Sequence, residues 1–434
     1  MKVTVIGTGF VGVVSAAVFA SLENTVIGLD IDEKKVSSLK QGEVPFFEPD
    51  LEKLLLSQQK LGHLSFTTNY ATAIPTAEVI IIAVGTPSNE DGHADLSYLY
   101  ASLDSLAEHI KDDVIIAVKS TVPPGTLMAV EKYLRQRTNK NFELASLPEF
   151  LREGSAVEDT LHPDRVVIGV DSEEAFQKLR TLHQPLTNTI LKVKPSSAQM
   201  GKYSSNAYLA TRITFINQIA DLCEHNGADI EEVIAILGQD KRIGSHYWYP
   251  GLGYGGSCFP KDVRELARYS QEVGESNNIF NKIHELNEAR IPKLLEEFGS
   301  KVGGWSGKKV AVLGLSFKPH TNDMREAPSV RIIPKLLAAG AHIVGFDPQA
   351  LTSAPYFLKS HPQLEYSSDI AAAIAEADVV MALVEWPEII NFDFESVVYT
   401  KPQRLFIDAR NQFEILALKK AGFKYQGIGR TYAD

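Results

Sequence analysis

Cysteine is nearly absent, with two residues among 434. That excludes a disulfide scaffold and a four-cysteine zinc site, fits a reducing compartment, and leaves each thiol to be weighed singly. Positive charge is also short: Lys and Arg number 43 against 54 Asp and Glu, a formal net charge of −11. Such a chain lacks the electrostatics of a general nucleic-acid binder, although a small anionic ligand needs only local cations. No apolar run reaches the roughly 18–20 residues needed to span a bilayer. The apolar stretch ending at Leu22 is broken by Gly7, Gly9 and Gly12 and leads into a second strand-like run. A signal peptide needs neither feature, so a cytoplasmic location is expected. The eleven histidines show no HExxH or comparable spacing, and no metal is expected. With 44% hydrophobic and 22% charged residues, the composition is that of a globular protein, and the length suits two to four domains.

What is present is an alternation of short Val/Ile-rich runs with longer helix-like segments, the pattern of βαβ units around a parallel sheet. Strands are expected at 2–7, 25–30, 79–84, 114–118, 143–146, 166–169 and 190–193, with helices at 11–22 and 33–41. From about Ala198 to Phe298 the strand signal stops. Leu209, Ile213, Ile216, Ile219, Ala220 and Cys223 recur at helical spacing, and further helices are expected at 230–237, 263–273 and 279–298. After a Gly/Lys-rich linker at 299–309 the first pattern restarts. KVAVLG at 309–314 mirrors KVTVIG at 2–7, AHIVGFD at 341–347 mirrors NTVIGLD at 24–30, and ADVVMALV at 377–384 mirrors AEVIIIAV at 77–84. A further strand is expected at 405–408. The fold expected is α/β: two similar doubly wound parallel-sheet domains, 1–197 and 301–434, joined by a helical domain at 198–300. The second half has Gly314-Leu315-Ser316-Phe317 in place of a full glycine fingerprint, so its ligand is expected to be held differently.

Gly7-Thr8-Gly9-Phe10-Val11-Gly12 follows a strand, opens a helix, and has Asp30 at the end of the next strand. In that context GxGxxG is a dinucleotide fingerprint: Gly7 permits the turn, Gly9 the approach of the pyrophosphate, and Gly12 close helix–strand packing. The helix N-terminus offers N–H groups to phosphate. Asp30 is suited to ribose hydroxyls and would repel a 2′-phosphate, which favours NAD over NADP. The alternative, a purely structural glycine turn, leaves Asp30 unexplained. Lys35 is placed either against the ribose or on a solvated helix face. Gly85-Thr86-Pro87 and Ser120-Thr121 fall at strand C-termini, the ligand edge of such sheets, where Gly and Pro also serve simply to end strands.

Cys258 lies in a run holding Gly251, Gly253, Gly255 and Gly256, which lets backbone wrap closely round a ligand. With a helix beginning nearby and Lys261 close, its thiolate is favoured, and Asp262 stands next along. A glycine-rich loop is not a core environment, so Cys258 reads as a nucleophile. Cys223, on an apolar helix stripe, reads as an inert core thiol. Lys202 and Asn206 are four apart, on one helical face, suited to a developing alkoxide or to solvation alone. Glu149 and Glu153 are likewise four apart, just past a strand end.

These motifs together resemble the UDP-glucose/GDP-mannose dehydrogenase family, most closely its UDP-glucose 6-dehydrogenase branch. The resemblance runs end to end through GTGFVG with Asp30, VGTP, STVPPGT, PEFLREGSA, PDRVVIG, KYSSNAYLA, KRIG, GYGGSCFPKD, GLSFKPHTNDMRE and DARN. The departures are SLP before Glu149, where NP is frequent, and Lys35, where Arg also occurs.

The resemblance implies two Rossmann-like domains and an NAD-dependent four-electron oxidation of a primary alcohol to a carboxylate. Cys258 would form a thiohemiacetal and then a thioester, with Lys202 and Asn206 stabilising the oxyanion. Asp262, Glu149 and Thr121 would handle water and protons. Glu153, Lys261 and Arg325 are expected beside the NAD. The UDP-sugar is expected against Glu149, Phe150, Leu151, Arg152 and Glu153, the loop with Tyr249, Gly251, Gly253, Tyr254 and Gly255, and Phe317, Lys318 and Arg410. Arg242 is expected to reach a neighbouring subunit's sugar. The long helix around 202–224 resembles the family's dimer core, so a homodimer or a multiple of it is expected. The sibling substrates are GDP-mannose and UDP-N-acetylmannosamine. Two rivals remain: a two-electron β-hydroxyacid dehydrogenase, which needs neither Cys258 nor the second half, and a non-catalytic nucleotide-sugar sensor.

Overall fold

The structure is a computed structural model that describes residues 1–430. It forms two compact units, Met1–Ser205 and Asn206–Asp434.

The first unit holds an eight-stranded sheet of β1 (Lys2–Ile6), β2 (Thr25–Leu29), β3 (Leu64–Thr67), β4 (Val79–Ile82), β5 (Val114–Val118), β6 (Phe142–Ser146), β7 (Val166–Gly169) and β8 (Ile190–Val193). Their order is β3-β2-β1-β4-β5-β6-β7-β8. β4 and β5 are buried along their whole length, which is why they read as unbroken apolar runs. Every neighbouring pair is parallel except β6 and β7, joined antiparallel at Ser146 and Gly169. The chain winds outward to one side from β1 and to the other from β4. The C-terminal ends of β1 and β4 are therefore the switch point where such sheets take ligands. The glycine turn and Gly85-Thr86-Pro87 both fall there.

The second unit holds a six-stranded all-parallel sheet of β9 (Lys309–Leu313), β10 (His342–Phe346), β11 (Leu364–Tyr366), β12 (Val379–Ala382), β13 (Arg404–Asp408) and β14 (Phe423–Gln426), ordered β11-β10-β9-β12-β13-β14. Its switch point lies at the ends of β9 and β12. The same unit contains most of the long helix Pro195–Asn226, then helices Ile230–Gln239, Phe259–Glu272 and Ile279–Val302. Ile213, Ile216, Ala220 and Cys223 are buried, as their spacing implied.

Two boundaries differ from expectation. The last of these helices runs through Val302 and ends on Gly303 at φ +74, a left-handed cap, so the expected linker at 299–309 shrinks to 303–308. Pro292 inside that helix cannot donate to the Glu288 carbonyl, and the Arg331 guanidinium donates instead at 3.2 Å. The helix expected at 263–273 begins four residues earlier, at Phe259, with Pro260 in its first turn, where a missing N–H costs nothing. Among the described residues, no helix is long and apolar enough to cross a membrane.

Candidate active site

In the first unit the glycine turn has the backbone its spacing implied. Gly7 has φ +90, and a Cβ there would lie 2.8 Å from the Ala83 carbonyl oxygen. A Cβ on Gly12 would overlap the Gly7 carbonyl oxygen, so only glycine lets the helix Phe10–Ser21 start this close to β1. Gly9 is different: nothing lies within 4 Å of where its Cβ would be, and the same holds for Gly85. Gly9 is the helix N-cap and no side chain caps it, leaving first-turn N–H groups for an anionic ligand. This open, uncapped turn fits a dinucleotide pyrophosphate.

Asp30 is buried and accepts from the Thr8 N–H and the Thr8 hydroxyl, both at 2.8 Å, from the Asp32 N–H at 3.1 Å, and from Lys35 Nζ at 3.0 Å. Burial pushes its carboxyl up, but the Thr8 and Asp32 N–H groups together with Lys35 outweigh it and hold the pKa below the ordinary value. Burial and that negative charge push Tyr70 up to about 12. Lys35 is thus ion-paired to Asp30, the more specific of its two readings. The loops after β4 and β5 are tied together: the Thr86 hydroxyl donates to the Thr121 carbonyl at 2.9 Å, and the Ser120 hydroxyl to the Val84 carbonyl at 2.7 Å.

Past β6, Glu149 and Lys202 are both buried and form an ion pair at 2.8 Å. The second Glu149 oxygen accepts from the Leu151 N–H at 2.8 Å. Phe150 lies 5.5 Å from the Lys202 ammonium and 3.8 Å beneath the Arg165 guanidinium. Arg152 is exposed and bound through two nitrogens to Asp159. Glu48, which sequence reasoning passed over, is buried and accepts from the Gly154 and Ala156 N–H groups at 2.7 and 2.6 Å. It anchors the segment that carries Glu149 to Glu153. Its signal was an acidic residue after two aromatics, Phe46-Phe47-Glu48, and that pattern alone names no partner.

In the second unit Cys258 is exposed at the N-cap of helix Phe259–Glu272, with Ser257 Oγ 3.5 Å from its sulfur. One turn on, Asp262 is almost fully buried. It accepts from Asn206 Nδ2 at 2.6 Å and is ion-paired with Lys261. Cys223 is buried, and burial pushes its thiol up, with Asp229 and Glu224 adding to the shift; an inert thiol was expected there.

The glycine loop is gripped by three buried polar side chains that sequence reasoning missed. Asn217 accepts from the Gly251 N–H at 2.8 Å, and Arg290 donates to the Gly251 carbonyl at 3.0 Å. Asn287 accepts from the Tyr254 N–H at 2.8 Å and donates to its carbonyl at 3.1 Å. A Cβ on Gly253 would overlap Asn287 Oδ1, and one on Gly255 the Glu326 carbonyl. A Cβ on Gly256 would lie 2.8 Å from the Phe317 ring. The loop therefore lies against the ends of β9 and β13. Arg410 donates from Nε to the Leu383 carbonyl at 2.8 Å, and its terminal nitrogen is 3.5 Å from the Phe317 carbonyl. Phe317, Arg410 and Gly251 are thus neighbours, and Lys318 lies 5.4 Å from the Phe317 ring. Tyr249 is exposed. Arg242 and Arg325 are exposed and fork onto Asp240 and Asp323.

The internal repeat keeps its chemistry but changes its access. Asp347 accepts from the Leu315 and Ser316 N–H groups, as Asp30 does from Thr8. The Trp386 indole also donates to Asp347, at 3.2 Å, and closes it in at 1% exposure. A ribose has no route to that carboxylate.

Comparison with known proteins follows the same three segments. Models of the UDP-glucose/GDP-mannose dehydrogenase family match the chain at residues 1–187 (NAD binding domain), 196–289 (central domain) and 311–415 (UDP binding domain). The chain is 40% identical over 431 residues to the UDP-glucose 6-dehydrogenase TuaD of Bacillus subtilis, covering 99% of this chain and 93% of that one. It is 41% identical over 445 residues to the UDP-glucose 6-dehydrogenase of Pseudomonas aeruginosa, covering 100% and 98%. A solved UDP-glucose dehydrogenase from the archaeon Pyrobaculum islandicum superposes with a TM-score of 0.91 at 36% identity, covering 99% and 98%.

Proposed function

The chain belongs to the UDP-glucose/GDP-mannose dehydrogenase family, and from that premise we propose that it oxidises the C6 alcohol of UDP-glucose by four electrons to UDP-glucuronate. Its first part is that family's NAD-binding domain. NAD, when bound, supplies the hydride acceptor. Gly7, Thr8, Gly9, Phe10, Val11 and Gly12 hold its pyrophosphate, and Asp30 with Lys35 faces the ribose. Gly85, Thr86, Pro87, Ser120 and Thr121 line its far end.

The observation that carries the reading is Cys258, an exposed thiol at a helix N-cap, one turn from a buried carboxylate bound to Asn206 and Lys261. A two-electron enzyme has no use for it. Its sulfur adds to C6 at the aldehyde level, and a carbonyl oxygen becomes an oxyanion there. Lys202 and Asn206 offer N–H donors to that oxygen. After the second oxidation C6 is a thioester, and water adds as the Cys258 thiolate departs. Glu149, already hydrogen-bonded to Lys202, together with Asp262 and Thr121, moves protons and orients that water. The diphosphate meets Arg410 and Lys318, two cations placed beside Phe317. The glycine loop at Tyr249–Gly255 and the segment Glu149–Glu153 take the sugar.

The parts divide as 1–197 for NAD, 198–300 for association and 301–434 for the UDP-sugar. Tyr208, Phe215 and Leu222 are exposed at seven-residue intervals on helix Pro195–Asn226, one apolar stripe that suits a homodimer. Arg242 then reaches the partner's sugar, and the protein works in the cytoplasm.

The test is the ratio of NADH formed to UDP-glucose consumed, with the product identified by mass. Two NADH and UDP-glucuronate are expected. One NADH with an aldehyde would remove the thioester step, and turnover only with GDP-mannose or UDP-N-acetylmannosamine would move the substrate to a sibling.

A further inference from the structure

Lys119 is an ionisable side chain of the first unit that the chemistry above leaves without a role. It follows directly on β5, and its N–H shares the Ile82 carbonyl with that of Ser120, at 2.8 and 3.0 Å. The residues after it are the ones bound to the Val84 and Thr86 loop, so its backbone is pinned at the base of both cofactor loops. Alternation along β5 places Lys119 on the face of Ile115 and Ala117, which pack with Val13, Phe19, Ala145 and Leu147. A partly buried lysine on that face meets three titratable groups from three elements. These are Glu149 after β6, Lys202 on helix Pro195–Asn226, and His183 at the end of helix Glu173–His183. Among the described residues, no ion pair neutralises its ammonium, whereas Lys202 has Glu149 at 2.8 Å.

We propose that Lys119 is a positioning residue of the reaction: its ammonium makes two cations share the Glu149 carboxylate, which keeps Glu149 ionised and eases the loss of a proton from Lys202. The physical basis is Coulombic. A nearby positive charge favours a carboxylate and disfavours a second ammonium. The three groups therefore titrate as one set, not as an isolated pair. Burial pulls Lys119 itself down to about 8, with Glu149 opposing and Lys202 adding to the shift. A lysine held in such surroundings costs stability, and residues kept against that cost cluster at working sites.

The inference rests on the proposed dehydrogenase activity, and the test separates the two. The pH profile of kcat is measured for the full-length protein and for Lys119→Gln and Lys119→Arg, with UDP-glucose and NAD saturating. Loss of one positive charge raises the pKa of each neighbour, so Lys119→Gln is expected to move the acid limb of the profile upward by about one pH unit. Lys119→Arg, which keeps the charge, is expected to restore that limb. A lower kcat with an unmoved limb in Lys119→Gln means a packing role and overturns the inference. Should Lys119→Gln fail to fold, Lys119→Arg decides: an acid limb displaced despite the retained charge overturns it, and a retained limb supports it. An unaltered protein without turnover would overturn the dehydrogenase reading and this inference with it. An active protein with unshifted variants overturns this inference alone.

Discussion

Asp30 and Cys258 carry the two halves of the chemistry, and both were visible as residue types in a context. Asp30 stands where a ribose-binding acid must stand, and the Thr8 and Asp32 N–H groups with Lys35 keep it ionised. Asp30→Asn removes that charge while leaving a side chain of the same shape. It is expected to raise KM for NAD by about tenfold, the loss of one charge-assisted hydrogen bond, with a smaller change in kcat. Initial-rate kinetics over NAD concentration checks this. Cys258→Ala is expected to bind NAD unchanged and to form no UDP-glucuronate, as read by mass spectrometry of the products. Carboxylate formation by that variant would place the covalent step elsewhere. Lys35 shows where residue reading stops. Its position allowed a ligand contact or a solvated lysine, and only the 3.0 Å approach to Asp30 distinguished them.

Among the elements, the glycine loop shows how a sequence signal and its cause separate. Four glycines marked a close approach of backbone to something. The structure adds the grip of Asn217, Asn287 and Arg290, drawn from helices far along the chain. No spacing rule ties them to the loop, because each pairs with backbone and not with a motif. Gly253→Ala places a Cβ into Asn287 Oδ1 at a residue with φ +96. It is expected to cost about 1–3 kcal/mol by thermal denaturation and to lower kcat. Gly9→Ala meets no protein atom within 4 Å and is expected to leave the melting temperature unchanged while weakening NAD binding. The strands β3, β11 and β14 were missed for a common reason. They are short and lie at or near the open ends of their sheets, so their apolar runs are broken by exposed positions. The stripe Tyr208, Phe215, Leu222 predicts that Leu222→Glu shifts the protein toward monomer in sedimentation velocity.

For the molecule as a whole, stability is tied to buried neutral groups and not to cross-links, since both cysteines are free. His183 is buried, donates to or accepts from the Leu179 carbonyl region at 2.8 Å, and lies edge-on to Phe19. Burial pulls it down to about 4, the Leu179 carbonyl opposing and Lys119 adding to the shift. The folded value lies below the ordinary 6.5, so the unfolded chain takes up a proton that the folded chain refuses. Stability therefore falls as pH drops from about 6.5 toward 4, by up to about 3 kcal/mol from this group. Chemical denaturation across that range is expected to show the slope, and His183→Gln to flatten it.

Periodicity and glycine spacing settled what depends on neighbours along the chain: the repeated βαβ pattern, the helical stretch between, the dinucleotide turn and the unusual cysteine. These follow from backbone conformation and from which face of an element is apolar, and both are local. The pairing of Glu149 with Lys202, of Asn206 with Asp262, and the closure of Asp347 by Trp386 were decided only by the tertiary structure. A buried charge takes whichever partner folding brings within about 3 Å. Residues 53, 56 and 39 positions apart meet there without any periodic trace in the sequence between them.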